Sequence, residues 1–310
     1  MALFNNPSSV TRLDTKRQFR PDGRWLWNED GTVSASLRPL TCELSCLHRS
    51  DGSSLWKSGA THVMAAVYGP IAPRISSQEH SDQVVVSVIF KSGQFNTTTT
   101  STVTTTDPAT ANNVTNSNNN TGIVLVEREW EQFLTSVLSA CIDTKMYART
   151  VVEVVLQVIQ DDGSVLAAAL HAAVAALMDA GVAMINLPVA TTFLIVPSSN
   201  NNRGGENDDN EQQQPSQILL LDPTSEEERN PNASVLIMVT ENEDPNRILA
   251  IHSMAAAAAA PSSTSSSTIS IPMILSCAQA AAKATPAVVT FWRLAMEQRV
   301  TRESQTLWSS

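Results

Sequence analysis

Residues 156–172 read LQVIQDDGSVLAAALHA and predict a strand, a tight turn and a helix in direct succession. The strand is predicted over residues 150–159, because its run of valine and isoleucine is typical of buried strands. Asp161-Asp162-Gly163 follows with the residue types that favour a turn. The helix is predicted over residues 166–180, and Gly181 is a typical residue at a helix end. Its small alanine side chains predict close packing against a sheet.

Further elements surround this unit on both sides. Valine-rich strands, a helix with apolar residues at helical spacing and a long C-terminal helix containing Pro286 are all indicated by the pattern. We expect Pro286 to kink this last helix or to divide it in two. The predicted strands cover residues 61–68, 83–90, 190–196, 218–221, 235–240 and 248–252, and the predicted helices cover residues 129–142 and 273–297. Strands and helices alternate in part, so the fold class is mixed α/β or α+β.

Three low-complexity segments interrupt the globular sequence, at about residues 96–121, 198–216 and 255–267. They are rich in Thr, Asn, Ser, Gln or Ala and carry too little apolar surface to offset the entropy of ordering, so we predict long disordered insertions. Such insertions are tolerated at loop tips, and each should therefore connect two elements. We expect a flexible N-terminal segment over residues 1–19, one domain over residues 20–300 and a C-terminal tail over residues 301–310.

The composition excludes several classes of protein. The chain has 310 residues, a net charge of -10 and a pI near 5.0, whereas a free-standing nucleic-acid binder usually carries a basic surface. The alanine-rich run over residues 166–185 is broken by His171 and Asp179 and does not predict a membrane span. Cys42, Cys46 and His48 offer three potential zinc ligands without a fourth nearby, so we expect buried thiols and no metal. These features indicate a soluble intracellular protein.

Several motifs occur in a recognisable order. They are RPDGR at residues 20–24, SDGSS at residues 50–54, GATHVMAAVYGP at residues 59–70, the stretch 156–172, and LDPTSEEE at residues 221–228. Together they resemble the ribonuclease PH superfamily, and within it the ring subunits of the RNA exosome. The resemblance implies a ribonuclease PH fold built from duplicated βαβ units of the ribosomal protein S5 domain 2-like type. It also implies a hetero-oligomer of ring and cap subunits around an RNA channel, located in the nucleus, the nucleolus and the cytoplasm.

The resemblance places a phosphate cradle at Gly163, Ser164 and Val165. In active relatives the third position is an arginine, whose guanidinium neutralises the phosphate held by the amides and hydroxyl at the helix start. Val165 supplies an isopropyl group instead. Loss of one such contact costs roughly 1.5–3 kcal/mol in binding.

Two further departures from the active pattern follow. The resemblance implies two acids six residues apart, and the corresponding positions are Glu228 and Ser234, so a divalent cation would lose one of its carboxylates. A pair of arginines precedes the helix over residues 129–142 in active relatives, whereas this chain has Glu127 and Arg128. A carboxylate at that position would repel an RNA backbone.

These departures predict a catalytically inactive ribonuclease PH homologue with no cofactor. The expected function is that of a core subunit of the exosome ring, which channels RNA for 3′-to-5′ processing and degradation, including rRNA maturation and mRNA turnover. Arg128 and Arg74 are candidate RNA contacts. The alternatives are an active phosphate-dependent 3′-5′ exoribonuclease that uses Ser164 and Glu228, and an independent RNA-binding module. Which subunits flank this one, and what the insertions do, stays open.

Overall fold

The structure, a computed structural model, describes residues 37–73, 81–92, 117–197, 217–230, 233–255, 269 and 271–308. The strands are β1 (Leu40–Leu44), β2 (Gly52–Ser58), β3 (Thr61–Ile71), β4 (Val85–Lys91), β5 (Val151–Gln160), β6 (Pro188–Pro197), β7 (Gln217–Leu221), β8 (Ser234–Glu241) and β9 (Ile248–Ala255). The helices are α1 (Ser117–Cys141), α2 (Val165–Asp179), α3 (Ser225–Glu228) and α4 (Ile271–Trp308). These elements confirm the predicted α+β class.

The second low-complexity segment falls between β6 and β7, whereas the first and the third each overlap one element. Most residues of the three segments lie outside the described residues, so their disorder stays a prediction. The first segment was predicted to extend to residue 121, but α1 already begins at Ser117 rather than at Glu129. A polar composition does not exclude a helix, because helical backbone hydrogen bonds are internal to the segment. The third segment is shorter by one residue at its start, since Ala255 ends β9.

The C-terminal helix differs from its prediction in length and continuity. α4 is one helix that contains Pro286 and runs into the segment predicted as a tail. Pro286 lies on an exposed face of α4, so the carbonyl that loses its N–H partner is close to solvent. By length and composition alone α4 could cross a membrane, a test that the core helices of soluble proteins also pass.

The described residues divide into two compact units. One contains residues 42–161, 168–188 and 295–310 and holds a five-stranded sheet of order β1-β2-β3-β5-β4. β4 runs parallel to β5, and α1 connects them as a βαβ crossover. A Cβ atom at Gly52 of β2 would lie 2.3 Å from the Ala176 carbonyl oxygen of α2. The predicted close packing of the alanine-rich helix on a sheet is therefore confirmed.

The other unit contains residues 1–41, 162–167 and 189–294, with a four-stranded sheet of order β7-β6-β8-β9. Its core is formed by side chains of β6, β7 and β8 packed on α4, among them Phe193, Leu219, Met238 and Cys277. β6 pairs antiparallel with β7, and β8 pairs antiparallel with β9. The expectation of a single domain over residues 20–300 stays a prediction.

One buried ion pair fixes the turn before α2 within this second unit. The Arg38 guanidinium donates to both carboxylate oxygens of Asp222, with Nε–Oδ2 at 2.9 Å and Nη2–Oδ1 at 2.6 Å. Its remaining N–H groups donate to the Asp162 carbonyl oxygen at 2.8 Å and to the Gly163 carbonyl oxygen at 3.2 Å. Arg38 is 4% exposed and Asp222 is 6% exposed. The guanidinium thus joins three chain segments at one point.

Burial lowers the pKa of the Arg38 guanidinium, but the hydrogen bond and charge of Asp222 outweigh it, and the pKa lies above its ordinary value. Arg38 therefore stays charged at every physiological pH. The guanidinium makes four hydrogen bonds at once, two of them to one carboxylate, whereas an ammonium group has only three N–H donors. A lysine could therefore not make all of these contacts.

We expect the substitution Arg38→Met to lower the free energy of unfolding by about 3–5 kcal/mol, because it leaves the Asp222 carboxylate buried without its cation. Urea denaturation followed by circular dichroism measures this loss. The control is Lys57→Met, which removes the partly exposed pair with Glu43 and should change stability by less than about 1 kcal/mol. Equal losses in the two variants would contradict the assignment.

Candidate functional site

The sequence-predicted cradle is a turn that enters α2 with two residues in the left-handed region. Gly163 has φ 81° and Ser164 has φ 54°. A Cβ atom at Gly163 would lie 2.5 Å from the Pro223 carbonyl oxygen and 2.7 Å from the Ser225 amide nitrogen. Only glycine fits at this position, because both the backbone angle and the space exclude a side chain. The turn and the segment after β7 are therefore in direct backbone contact.

The amide and hydroxyl assigned to phosphate both bind groups of the protein itself. The Ser164 N–H donates to Glu228 Oε1 at 2.8 Å, and the Ser164 hydroxyl donates to the Pro223 carbonyl oxygen at 3.2 Å. A carboxylate thus occupies the position at the start of α2 where backbone N–H groups and the helix dipole favour an anion. The structure brings Gly163, Ser164 and Glu228 together, but as an internally satisfied cluster.

The three acids of α3 have separate roles. Glu226 is exposed, and the Glu227 carboxylate accepts a hydrogen bond from the Thr224 N–H at 2.8 Å, as in a helix cap. Glu228 ends the helix and reaches Ser164. Of the three, Glu226 has the most exposed side chain, and Glu227 and Glu228 are half-buried.

Val165 and Ser234 have uncharged side chains at two positions where active relatives carry charged ones. Val165 is the first residue of α2 and is 6% exposed, and Ser234 is the first residue of β8 and is also 6% exposed. A divalent cation requires carboxylates that are available to it. Glu228 is engaged with an amide and Ser234 is a hydroxyl, so these residues do not fit the cation of active relatives. Among the described residues, no three His, Cys, Asp or Glu side chains form a group that could hold a metal.

The positions predicted to touch RNA have different outcomes. Arg128 is exposed on α1, whereas Arg74 lies outside the described residues. Glu127 was interpreted as a carboxylate that would repel RNA, but its Oε1 accepts a hydrogen bond from the Ser92 N–H at 3.0 Å. Glu127 therefore has a structural partner that sequence patterns did not indicate.

The pairing of Arg38 with Asp222 was not predicted from the sequence. Asp222 was part of a recognised motif without an assigned role, and its φ of 53° is unusual for a residue other than glycine. The sequence did contain one signal, a single arginine between Leu37 and Pro39 just before a strand. A charged residue that is buried in such an apolar stretch is nearly always paired with an opposite charge. Its partner, 184 positions away in the chain, could not be found from spacing.

The cysteines also depart in part from expectation. Cys42 and Cys46 were expected to be buried but are half-buried, whereas Cys141 and Cys277 are buried. Burial raises the pKa of Cys42 and of Cys277 to about 12, so both stay protonated at neutral pH. Cys46 does not share a strand face with Cys42, because β1 ends at Leu44 and Ser45 has φ 55°.

Comparison with known proteins places this geometry in a family. The family model described as RNase PH, 3′ exoribonuclease family, domain 1, matches residues 36–183. Those residues include the Gly163–Ser164 turn and all of the five-stranded sheet. The turn and the sheet therefore lie within the segment that is similar to an RNase PH domain.

Two curated relatives align with part of the chain. The exosome complex exonuclease RRP46 homolog of Arabidopsis thaliana is 35% identical over 164 residues, which cover 52% of this chain and 56% of that protein. The exosome complex component rrp46 of Schizosaccharomyces pombe is 30% identical over 150 residues, which cover 47% and 54%. The chain thus spans a little over half the length of these relatives.

Solved structures share the fold over a larger part of the chain. The crystal structure of rice (Oryza sativa) Rrp46 matches with a TM-score of 0.60 and 22% identity, over 86% of this chain and 99% of that one. The Archaeoglobus fulgidus exosome with RNA bound to the active site matches with a TM-score of 0.58 and 17% identity, over 89% and 93%. These structures confirm the predicted ribonuclease PH fold, and residues 36–183 are similar to the 3′ exoribonuclease (RNase PH) family.

Proposed function

We propose that this chain is a core subunit of the RNA exosome, one of six RNase PH-like subunits in a ring that channels RNA for 3′-to-5′ processing and degradation, and that it is itself catalytically inactive. The names of the relatives support the ring assignment, since both denote exosome components. Its partners would be other ring and cap subunits, and RNA would pass through the assembled channel. The proposed locations are the nucleus with the nucleolus, and the cytoplasm.

One observation carries the proposed inactivity: the turn holds the Glu228 carboxylate, which accepts the Ser164 N–H at 2.8 Å, while Val165 supplies no cation beside it. A phosphate ion at this amide would have to displace the carboxylate and would lie beside a second negative charge. Two unit charges 4 Å apart repel by about 4 kcal/mol at an effective dielectric constant near 20. Val165 offers no guanidinium to offset this repulsion, and the nearby Arg38 is already bound to Asp222.

The alternative is an active phosphate-dependent 3′-5′ exoribonuclease. The word exonuclease in the name of the Arabidopsis relative favours it, and so does the proximity of Ser164 to Glu228. Against it stand Val165 in place of the arginine and Ser234 in place of the second acid. Removal of a charge-assisted contact in the transition state typically lowers kcat by about two to three orders of magnitude.

We expect affinity purification of the tagged full chain, followed by mass spectrometry, to recover other RNase PH-like exosome subunits at comparable abundance. The matched control is the variant Arg38→Met, whose destabilised turn should lower recovery together with the folded fraction. Absence of every exosome subunit from the wild-type eluate would contradict the ring assignment while leaving the question of activity open.

We expect the purified chain to release no nucleoside diphosphate from single-stranded RNA in the presence of inorganic phosphate. Val165→Arg alone should leave release at background, because Ser164 stays bound to Glu228 and the second acid is still absent. Thin-layer chromatography of labelled RNA products measures the release. Phosphate-dependent release by the wild type that is lost in Ser164→Ala would favour the alternative enzyme.

A further inference from the structure

β4 is a terminal strand of the five-stranded sheet in the described part of the chain, and it pairs on one side with β5. The Val85 N–H donates to the Thr150 carbonyl oxygen on the β5 side at 2.9 Å. Because successive N–H groups of a strand point in opposite directions, those of even-numbered residues in β4 point away from β5. Such an edge can add a strand from another chain unless something covers it.

Side chains of α1 occupy the end of this edge. The Phe90 N–H donates to Glu131 Oε1 at 2.9 Å, and the Ser92 N–H donates to Glu127 Oε1 at 3.0 Å. The Ser92 hydroxyl also donates to the Glu127 carboxylate. At the other end, the Val84 N–H donates to the Thr144 carbonyl oxygen at 3.2 Å. Three outward N–H groups of this edge are thus satisfied from within the chain.

The spacing of the two carboxylates matches the spacing of the two amides. Residues four apart on a helix lie on one face and are separated by about 6.0 Å along its axis. Residues two apart on a strand face the same edge and are separated by about 6.6 Å. Glu127 and Glu131 can therefore stand opposite Ser92 and Phe90 in the way that carbonyl groups of a neighbouring strand would.

Packing next to these residues holds the helix in this register. The rings of Phe90 and Trp130 meet edge to face, with centroids 5.1 Å apart and planes at 82°. Phe90 and Leu134 are fully buried. The carboxylates are thus presented by a helix that is anchored to the strand they cover, and both are only partly exposed.

We propose that the Glu127 and Glu131 carboxylates close the outer edge of β4 against pairing with a strand of a second copy of this chain. A carboxylate accepts hydrogen bonds but donates none, so it satisfies the strand amides and offers no N–H to an incoming strand. Its negative charge also disfavours an approaching carbonyl oxygen. This role does not depend on the exosome assignment.

The proposal gives Glu127 a function at the position where the resemblance places an arginine in active relatives. An arginine has only donors and cannot accept the Ser92 N–H. Reversion to arginine would add a cation but remove one of the two caps on β4. The negative side chain at residue 127, in place of a positive one, is thus what allows this position to cover the edge of β4.

The test compares full-chain variants that differ in acceptor and charge. Glu127→Ala/Glu131→Ala removes both acceptors, and Glu127→Gln/Glu131→Gln removes the charges but keeps an oxygen acceptor at each position. The matched control is Glu129→Ala, which removes an exposed carboxylate of the same helix. Residue-resolved hydrogen exchange of the Phe90 and Ser92 amides is measured with Val85 as internal reference, and molar mass is followed by light scattering over a range of concentrations.

For the alanine pair we expect exchange at Phe90 and Ser92 to accelerate by about tenfold or more, as when a hydrogen bond is lost, and molar mass to rise with concentration above that of the wild type. Glu129→Ala should keep the wild-type mass, and the glutamine pair should keep the slow exchange of the wild type, because an oxygen acceptor remains at each position. Unchanged exchange in the alanine pair, or faster exchange with an unchanged mass at every concentration, would overturn the proposal. If the alanine pair does not fold, the single variant Glu127→Ala is tested in its place. Exchange of the Ser92 amide and molar mass then decide the outcome in the same way.

Discussion

The guanidinium of Arg38 is the point at which the candidate site is assembled. It binds the Asp222 carboxylate in two places and the carbonyls of Asp162 and Gly163. Buried backbone carbonyls need donors, and here one side chain provides donors to two of them while neutralising a buried acid. The left-handed turn at Gly163 and Ser164 depends on this arrangement, and that turn in turn directs the Ser164 N–H toward Glu228. The hydrogen bond between Ser164 and Glu228 therefore depends on the buried ion pair of Arg38 and Asp222.

Two acids at positions of the family pattern have structural partners in this chain. Glu228, at the position of the first acid, and Glu127, at the position of an arginine, each accept a backbone N–H, one at the start of α2 and one at the edge of β4. A hydrogen bond to a carboxylate contributes more than one to a neutral acceptor, roughly 1.5–3 kcal/mol. Both positions therefore contribute to stability in their present form. This is the behaviour expected of a fold whose binding groups have been reused as structural groups.

The sequence was sufficient for the elements with strong local patterns and insufficient for the contacts between distant segments. β5 and α2 were predicted within one residue at each end, because a valine-rich run, a turn and an alanine-rich helix are unambiguous locally. α1 began twelve residues earlier than predicted, at Ser117 rather than Glu129, since composition was taken as evidence of disorder. Gly163, Ser164 and Glu228 were identified by motif order, whereas the Arg38–Asp222 pair joins positions 184 apart and leaves no periodic signal.

Glu127 and Glu228 also show why counting charged side chains in a sequence can mislead about function. Counted as free charges, Glu127 and Glu228 would both be sources of repulsion toward an RNA backbone or a phosphate. As acceptors, each satisfies a backbone N–H while keeping its negative charge. At Ser164 a phosphate would thus meet both an amide that is already bonded and the charge of Glu228. The proposed inactivity therefore does not depend on the missing arginine alone, since restoring a guanidinium at position 165 would leave the Glu228 carboxylate in place.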